Sequence, residues 1–450
     1  MKKIFDSSRL HLTLIALSAI ILSSVFSSCS GDKTEVSDLL ATVPADASAV
    51  AAISIKNIVE KSGCKIDGSK IIPGKEVEAL SGKIEDKDAK SLKEILNGDT
   101  GIDPSAAVFF IEGNNQYITG FLADPNKFKS YIGKAANEAW NSQNGIDRCR
   151  NMAVKGNQFW IRSNHNNDID PEEVSRFSSL SEKLSFLSNS YADKLSSIEN
   201  DLEGWGNISS LYGASGMSFQ EKTMAGIALA ILFSDAQDLT YSANFEKGKF
   251  VSTLSVLNSK GQQAKFNLPV ERIDPAMIKS LTPSAEMVAG IAISPKLVEQ
   301  LKNELGKNNI PGSELVVSAL SSIDGTCLVA TDKENVKGVV STNGQNTAAV
   351  ADLISDNFGF TVTMDGKLLN FSKGLVSGSL ETEKVASMFK GSMFAIAAAG
   401  TNFTMPGFKN TPVSTIFAAL VPDNGSMKVS MEVLSPDEKE NFLISILKGI

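Results

Sequence analysis

The chain predicts an α+β fold made of two related halves, and three observations carry that expectation. Val50-Ala51-Ala52-Ile53-Ser54-Ile55 is a short β-rich run, and Val288-Ala289-Gly290-Ile291-Ala292-Ile293 repeats four of its six residues 238 positions later. Ile102-Asp103 and Ile323-Asp324 open a second matched pair, 221 positions apart; Phe250–Leu257 and Met427–Leu434 form a third, 177 apart, in the same order. Helix starts marked by proline alternate with glycine-centred turns, the pattern of antiparallel strands interleaved with helices. Each half is therefore expected to be an antiparallel sheet with helices on one face, the halves being residues 41–270 and 271–450. The shrinking offset puts surplus residues in the first half. Apolar residues from Phe177 to Leu202 recur there at three- or four-residue steps, which predicts a helical insertion at about 170–203. The repeat is too long for a solenoid.

In chain order, the first element is a leader. Lys2 and Lys3 precede an apolar run from Leu12 to Leu22, and Val25-Phe26-Ser27-Ser28-Cys29 closes it. This is the anatomy of a bacterial lipoprotein signal over residues 1–28. The apolar run is shorter than the roughly 20 residues a spanning helix needs. Cleavage before Cys29 and acylation of its thiol would tie the body to a membrane by lipid. Ser30, not aspartate, follows the cysteine, which favours the outer membrane and leaves its periplasmic and outer faces both open. Residues 29–40 read as a polar tether. Val43-Pro44-Ala45-Asp46-Ala47 is a turn into the first strand, with a helix expected near Asn57.

Further on, Asp124-Pro125, Asp170-Pro171, Asp274-Pro275, Ser294-Pro295 and Ser435-Pro436 each place a capping residue before a proline suited to the first helical position. Glu173 and Glu438 fall where a capping box puts its acid. Lys247-Gly248, Asp365-Gly366 and Asn424-Gly425 signal hairpins.

A composition of 42% hydrophobic and 21% charged residues is that of a globular protein with a sizeable core. The net charge of −8 becomes more negative once the leader removes Lys2, Lys3 and Arg9 with only Asp6. Such a body repels phosphate backbones, which excludes nucleic acid as a partner. Cys64, Cys149 and Cys327 remain after Cys29 is acylated, an odd number that permits at most one disulfide. Arg148 and Arg150 flank Cys149, an arrangement able to lower a thiol pKa, although strand neighbours point away from it.

Chemistry is sparse. His165 is the only imidazole left after the leader, so two-histidine metal sites are excluded. The segment Asn164–Asp170 offers oxygens but lacks the glycine and glutamate of a calcium loop. Gly213-Ala214-Ser215-Gly216-Met217 fails as a nucleophile elbow at its last position, and Gly68 to Gly74-Lys75-Glu76 fails as a phosphate loop. Glu172-Glu173 and Asp437-Glu438 read as helix-start acids. Arg148, Arg150 and Arg162 are candidates for an anion site near His165. Trp160 fits a core strand, and Trp205 is expected to close a helical run. No catalytic, cofactor-binding or metal residue is expected; the one site residue is the lipid-bearing Cys29.

The lipobox, the polar tether, the Val43–Ala47 turn, the strand after it and Lys56-Asn57-Ile58-Val59-Glu60-Lys61 together resemble exported lipoproteins of domain-of-unknown-function family 4836. The resemblance is best from Cys29 to about Gly63. It implies an exported lipoprotein fold and supplies no catalytic residues. The expected function is therefore a lipid-anchored envelope protein without evident catalysis, acting as a binding or interaction module. Two alternatives stand beside it: a glycan- or peptide-binding accessory lipoprotein, and an exported carboxylate-dependent hydrolase. Exposed aromatic faces would mark the first, acids gathered in a cleft the second.

Overall fold

The computed structural model describes residues 34–449 except 68–69, 81, 83–85, 164–167, 215–217, 219–222, 224–225, 227–228, 231, 308–320, 333, 346 and 401–411. The first half contributes β1 (Ala49–Ser54), β2 (Lys65–Asp67), β3 (Lys70–Ile72), β4 (Ile102–Glu112), β5 (Asn115–Leu122) and β6 (Asn141–Gln143). It continues with β7 (Ile146–Cys149), β8 (Met152–Lys155), β9 (Gln158–Arg162), β10 (Leu202–Asn207), β11 (Asp238–Glu246) and β12 (Lys249–Leu257). Then come β13 (Ser284–Ala285), β14 (Met287–Ile293), β15 (Ile323–Thr331), β16 (Val336–Thr342) and β17 (Thr361–Asp365). The last are β18 (Leu368–Lys373), β19 (Leu380–Glu381), β20 (Phe394–Ala399), β21 (Thr415–Asp423) and β22 (Ser426–Leu434). Thirteen α-helices accompany them among the described residues.

Eighteen of these strands form one antiparallel sheet. From edge to edge its pairings run β17-β18-β16-β15-β14-β20-β21-β22-β12-β11-β10-β1-β4-β5-β9-β8-β7-β6. The halves meet where β12 pairs with β22, with Thr253 opposite Ser430. The mixed α+β class and the large antiparallel sheet agree with the sequence reading.

Helices cover both faces of the sheet, not one. In the first half Val50, Val108, Phe110 and Tyr117 pack with Leu39, Val174, Phe177 and Leu195 from helices Thr34–Leu40, Pro171–Phe177 and Ala192–Ser197. Ile53, Ala107 and Ile118, the neighbours that point the other way, pack with Ile55, Val77 and Leu92 from helices Ile55–Lys61, Lys75–Leu80 and Asp86–Leu96. The second half repeats this. Val288 and Ala292 face helices Pro275–Leu281 and Thr382–Phe389, while Ile291 and Ile293 face helix Pro295–Lys307. The physical reason is that β1 and β14 are apolar at consecutive positions, so both faces must be removed from water.

Several local expectations hold. Asp124, Asp170 and Asp274 cap their helices ahead of a first-turn proline, and Ser294 accepts from Leu297 N at 3.2 Å. Ser54 caps the helix expected near Asn57. The three hairpins form at Lys247-Gly248, Gly366-Lys367 and Asn424-Gly425.

Others are corrected. Residues 34–40 are no tether: Val36, Leu39 and Leu40 recur at helical spacing, and that side of helix Thr34–Leu40 is core, with Leu39 0% exposed. The segment around 170–203 is helical only in short pieces, and Leu202 already belongs to β10. Ser435 and Asp437 cap a bend, not a helix; Asp437 accepts from Lys439 N and Glu440 N, and the last helix starts at Phe442.

Candidate functional site

A polar cavity of about 400 Å³ opens at the corner where β10 and β11 end. Its wall is built from segments far apart in sequence. Alternation along the paired strands sends Trp205 and Asn207 of β10, with Asp238 of β11, to the same face. The Val43–Ala47 turn contributes Ala45, Asp46 and Ala47 as the rim, held by Ala45 N donating to Leu184 O at 2.9 Å and Ala47 N to Pro44 O at 3.1 Å. Asn189 and Ser190 close one side; Ser210, Gln237 and Ser259 close the other.

The floor is rigid. Trp205 packs edge-on against Phe186 with ring centroids 5.3 Å apart, and only 7% of it is exposed. Asn207 donates from Nδ2 to Asp238 Oδ1 at 2.9 Å. Its own Oδ1 accepts from Ser209 Oγ (2.7 Å), Ser210 N (3.1 Å) and Ser210 Oγ (3.0 Å), so the amide cannot flip. Asn189 Oδ1 is tied to Tyr191 N at 2.8 Å.

The indole Nε1–H of Trp205 is buried and lies toward the Asp238 carboxylate. Asp238 is 7% exposed, and burial lifts its carboxyl above the usual value against the lowering effect of Asn207 and the nearby indole. Among the described residues no lysine or arginine is paired with Asp46 or Asp238. A buried carboxylate without a counter-ion costs stability. The lining holds hydroxyls, amides, two carboxylates and an indole, which suits hydrogen bonding to a neutral or cationic guest and repels anions.

No family model matches the chain, and no curated protein matches it. Among solved structures, crystal form I of TP0453 aligns at 9% identity with a TM-score of 0.28, over 80% of this chain and 97% of that one. Crystal form III of TP0453 aligns at 10% identity and a TM-score of 0.28, over 77% of this chain and 96% of that one. Superposition at that level transfers neither chemistry nor partners.

Residues singled out from sequence fare unevenly. Cys29 and His165 lie outside the described residues, as do Gly68 and Ser215–Met217. Arg150 turns to Glu138 and Arg162 to Glu173 and Asn115, so these arginines serve separate partners and do not gather an anion site. The carboxylate of Glu173 lies 3.8 Å from Arg162 instead of reaching back as a capping-box acid. Cys149 is buried, and burial raises its thiol pKa before Glu138 adds to the shift; its flanking arginines do not activate it. Burial also pushes the Cys327 thiol up to about 12. Cys64, Cys149 and Cys327 are all free thiols. Among the described residues no group of three or more His, Cys, Asp or Glu is placed to hold a metal, and no helix is long and apolar enough to cross a membrane.

Trp160 is core, as expected, with 0% exposure. Trp205 is not the end of a helix but the centre of β10. The sequence did carry a signal for it. Gly204 and Gly206 flank the tryptophan, and that spacing of small and large residues belongs to a strand whose two faces differ. Asp46 and Asp238 carried none, because 192 residues separate them and only strand pairing brings them together.

Proposed function

We propose that this protein is a lipid-anchored cell-envelope binding module, held at the outer membrane through an acylated Cys29 and related to exported lipoproteins of domain-of-unknown-function family 4836. The observation that supports a binding role is the corner cavity of about 400 Å³, lined by Asp46, Asp238, Asn189 and serine hydroxyls from segments far apart in sequence. The lipobox carries the anchor. Its test is fractionation: wild type is expected with membranes and Cys29→Ser in the soluble fraction. An unchanged membrane fraction would reject the anchor.

The body is read as an internal duplication of residues 41–270 and 271–450. Support comes from the sheet, in which β12-β11-β10-β1-β4-β5-β9-β8 on one side of the junction has the same order and partners as β22-β21-β20-β14-β15-β16-β18-β17 on the other. The three sequence matches fall on β1 with β14, β4 with β15 and β12 with β22. At the junction, Thr253 faces Ser430, its own counterpart 177 residues on, as a two-fold relation requires. Closing hydrogen bonds recur as well: Gln237 N to Leu257 O and Ser414 N to Leu434 O, both 2.8 Å.

One observation favours a hydrolase as a second reading. Asp46 and Asp238 share a cavity, and the burial-raised carboxyl of Asp238 suits a general acid. Release of reducing ends from oligosaccharides, lost in Asp238→Asn, would establish it.

A further inference from the structure

We propose that this protein pairs with a second copy of itself along the free edge of β17, antiparallel about a two-fold axis at Thr363. This pairing goes beyond the binding-module reading and involves none of the corner cavity. β17 closes the large sheet at one end, and among the described residues it pairs with β18 alone. The strand at the same place in the first half, β8, carries β7 on its outer side, with Asp147 opposite Val154 and Cys149 opposite Met152. An edge that is filled in one half is open in the other. Open edges are normally blunted by lysine, proline or a bulge. Thr361-Val362-Thr363-Met364-Asp365 has none of these, and its only charge sits at its end. The opposite edge of the sheet, β6, is three exposed polar residues and offers far less to pair with.

The free groups of β17 fit their own copy. Thr342 N donates to Lys367 O at 2.9 Å, so Lys367 turns toward β16 and Leu368 toward β17. Alternation then commits Asp365, Thr363 and Thr361 to β18 and leaves the N–H and C=O of Val362 and Met364 pointing outward. With Thr363 on the axis, Val362 exchanges both bonds with the partner's Met364, and Met364 does so with the partner's Val362. Every outward group of these two residues is then satisfied. Thr361 stands opposite the partner's Asp365, hydroxyl to carboxylate, on the same side as the axial threonine pair. Val362 already packs with Val350 and Ile354 of helix Thr347–Phe358, and Met364, 44% exposed, extends that apolar row across the axis. A foreign strand need not answer these positions; a second copy does. The chain already joins two like strands this way, where β12 meets β22 with Thr253 opposite Ser430.

The experiment uses the full-length protein in intact cells, oxidised with copper phenanthroline. Residues opposite each other at such an axial pair have Cα atoms about 4.5 Å apart, within disulfide reach. Thr363→Cys is therefore expected to give a covalent dimer, well above the wild type with its own thiols Cys64, Cys149 and Cys327. Asp365 faces the partner's Thr361 and not its own copy, so Asp365→Cys should give about tenfold less. Met364→Pro removes an outward N–H that β18 does not use. Added to Thr363→Cys, it should cut the dimer about tenfold while the urea midpoint stays put. If that variant fails to fold, Met364→Lys, a charge on the open edge, carries the same test. No dimer from Thr363→Cys overturns the pairing, and equal dimer from Asp365→Cys overturns the register that defines it. Dimer that survives the Met364 variant puts the contact elsewhere and overturns the edge. Crosslinking of Thr363→Cys to a different protein overturns the second copy and assigns the edge to a foreign strand. None of these outcomes bears on the Cys29 fractionation or the corner cavity.

Discussion

The corner of β10 and β11 and the corner of β20 and β21 close with similar backbone hydrogen bonds and end differently. Ser48 N donates to Ile111 O at 2.7 Å and Asn207 N to Ser48 O at 2.9 Å; in the second half Glu286 N donates to Thr331 O at 3.0 Å and Ala399 N to Glu286 O at 2.8 Å. Side chains make the difference. In the first corner Trp205 lies between Val50 and Thr240, and Asn207 pairs across to Asp238. In the second, Ala397 lies between Val288 and Phe417, and Ala399 pairs across to Thr415. In the second corner the aromatic ring stands one strand over, and a smaller pair stands in place of Asn207 and Asp238. Ala285, Ala397 and Ala399 are then fully buried, and the turn above them pairs as β13 with β19. The second corner is core; the first is a cavity. Similar backbone hydrogen bonds frame both corners, and a few side chains decide whether each is filled.

The largest expected effect tests the floor of the open corner. Trp205→Ala should destabilise by about 3–5 kcal/mol, the cost of emptying a large buried aromatic site, measured by urea unfolding. A loss under about 1 kcal/mol would mean that Trp205 is not structural. Next, Ala397→Leu pushes the closed corner toward the open one. Three extra carbons at a fully buried alanine should cost about 1–3 kcal/mol by the same measurement. A neutral result would show hidden room there and weaken the contrast.

Asp238→Asn should act in the opposite direction, stabilising at neutral pH by on the order of 1 kcal/mol, the scale of an under-satisfied buried polar group. The sign follows from the raised carboxyl pKa. The folded state holds the proton more tightly than the unfolded chain, so ionisation costs stability. That cost is absent below the unfolded value near pH 4, grows as pH rises and is complete above the folded value. The gap between wild type and variant in thermal melts should open across that window and then stay level. A gap that closes as pH rises would refute the assignment. Smallest of all, Asp46→Asn on the exposed rim should leave stability within about 0.5 kcal/mol. A large loss of stability would make Asp46 a structural residue.

Local signals were legible where local forces decide. Aspartate-proline steps cap helices because the carboxylate meets free backbone N–H groups and proline gives up none. Lys247-Gly248 and Asn424-Gly425 turn because glycine accepts the left-handed backbone that the hairpin needs, with φ of 72° and 83°. The helical spacing that runs from Phe177 misled at Trp205, since a 3.6-residue pattern can continue by chance into a strand whose partners are remote. Helices on both faces were missed for a related reason. Consecutive apolar residues in β1 say that both faces are buried but not by what.

By itself the sequence determined the alternation of helices and hairpins and the order of the matched segments, all of them matters of composition and nearest neighbours. Tertiary structure alone decided that eighteen strands join in one sheet, that helix Thr34–Leu40 is core and that Asp46, Trp205 and Asp238 share a cavity. Those outcomes rest on pairings between residues far apart in the chain, where long-range hydrogen bonds and burial override what any short window of sequence prefers.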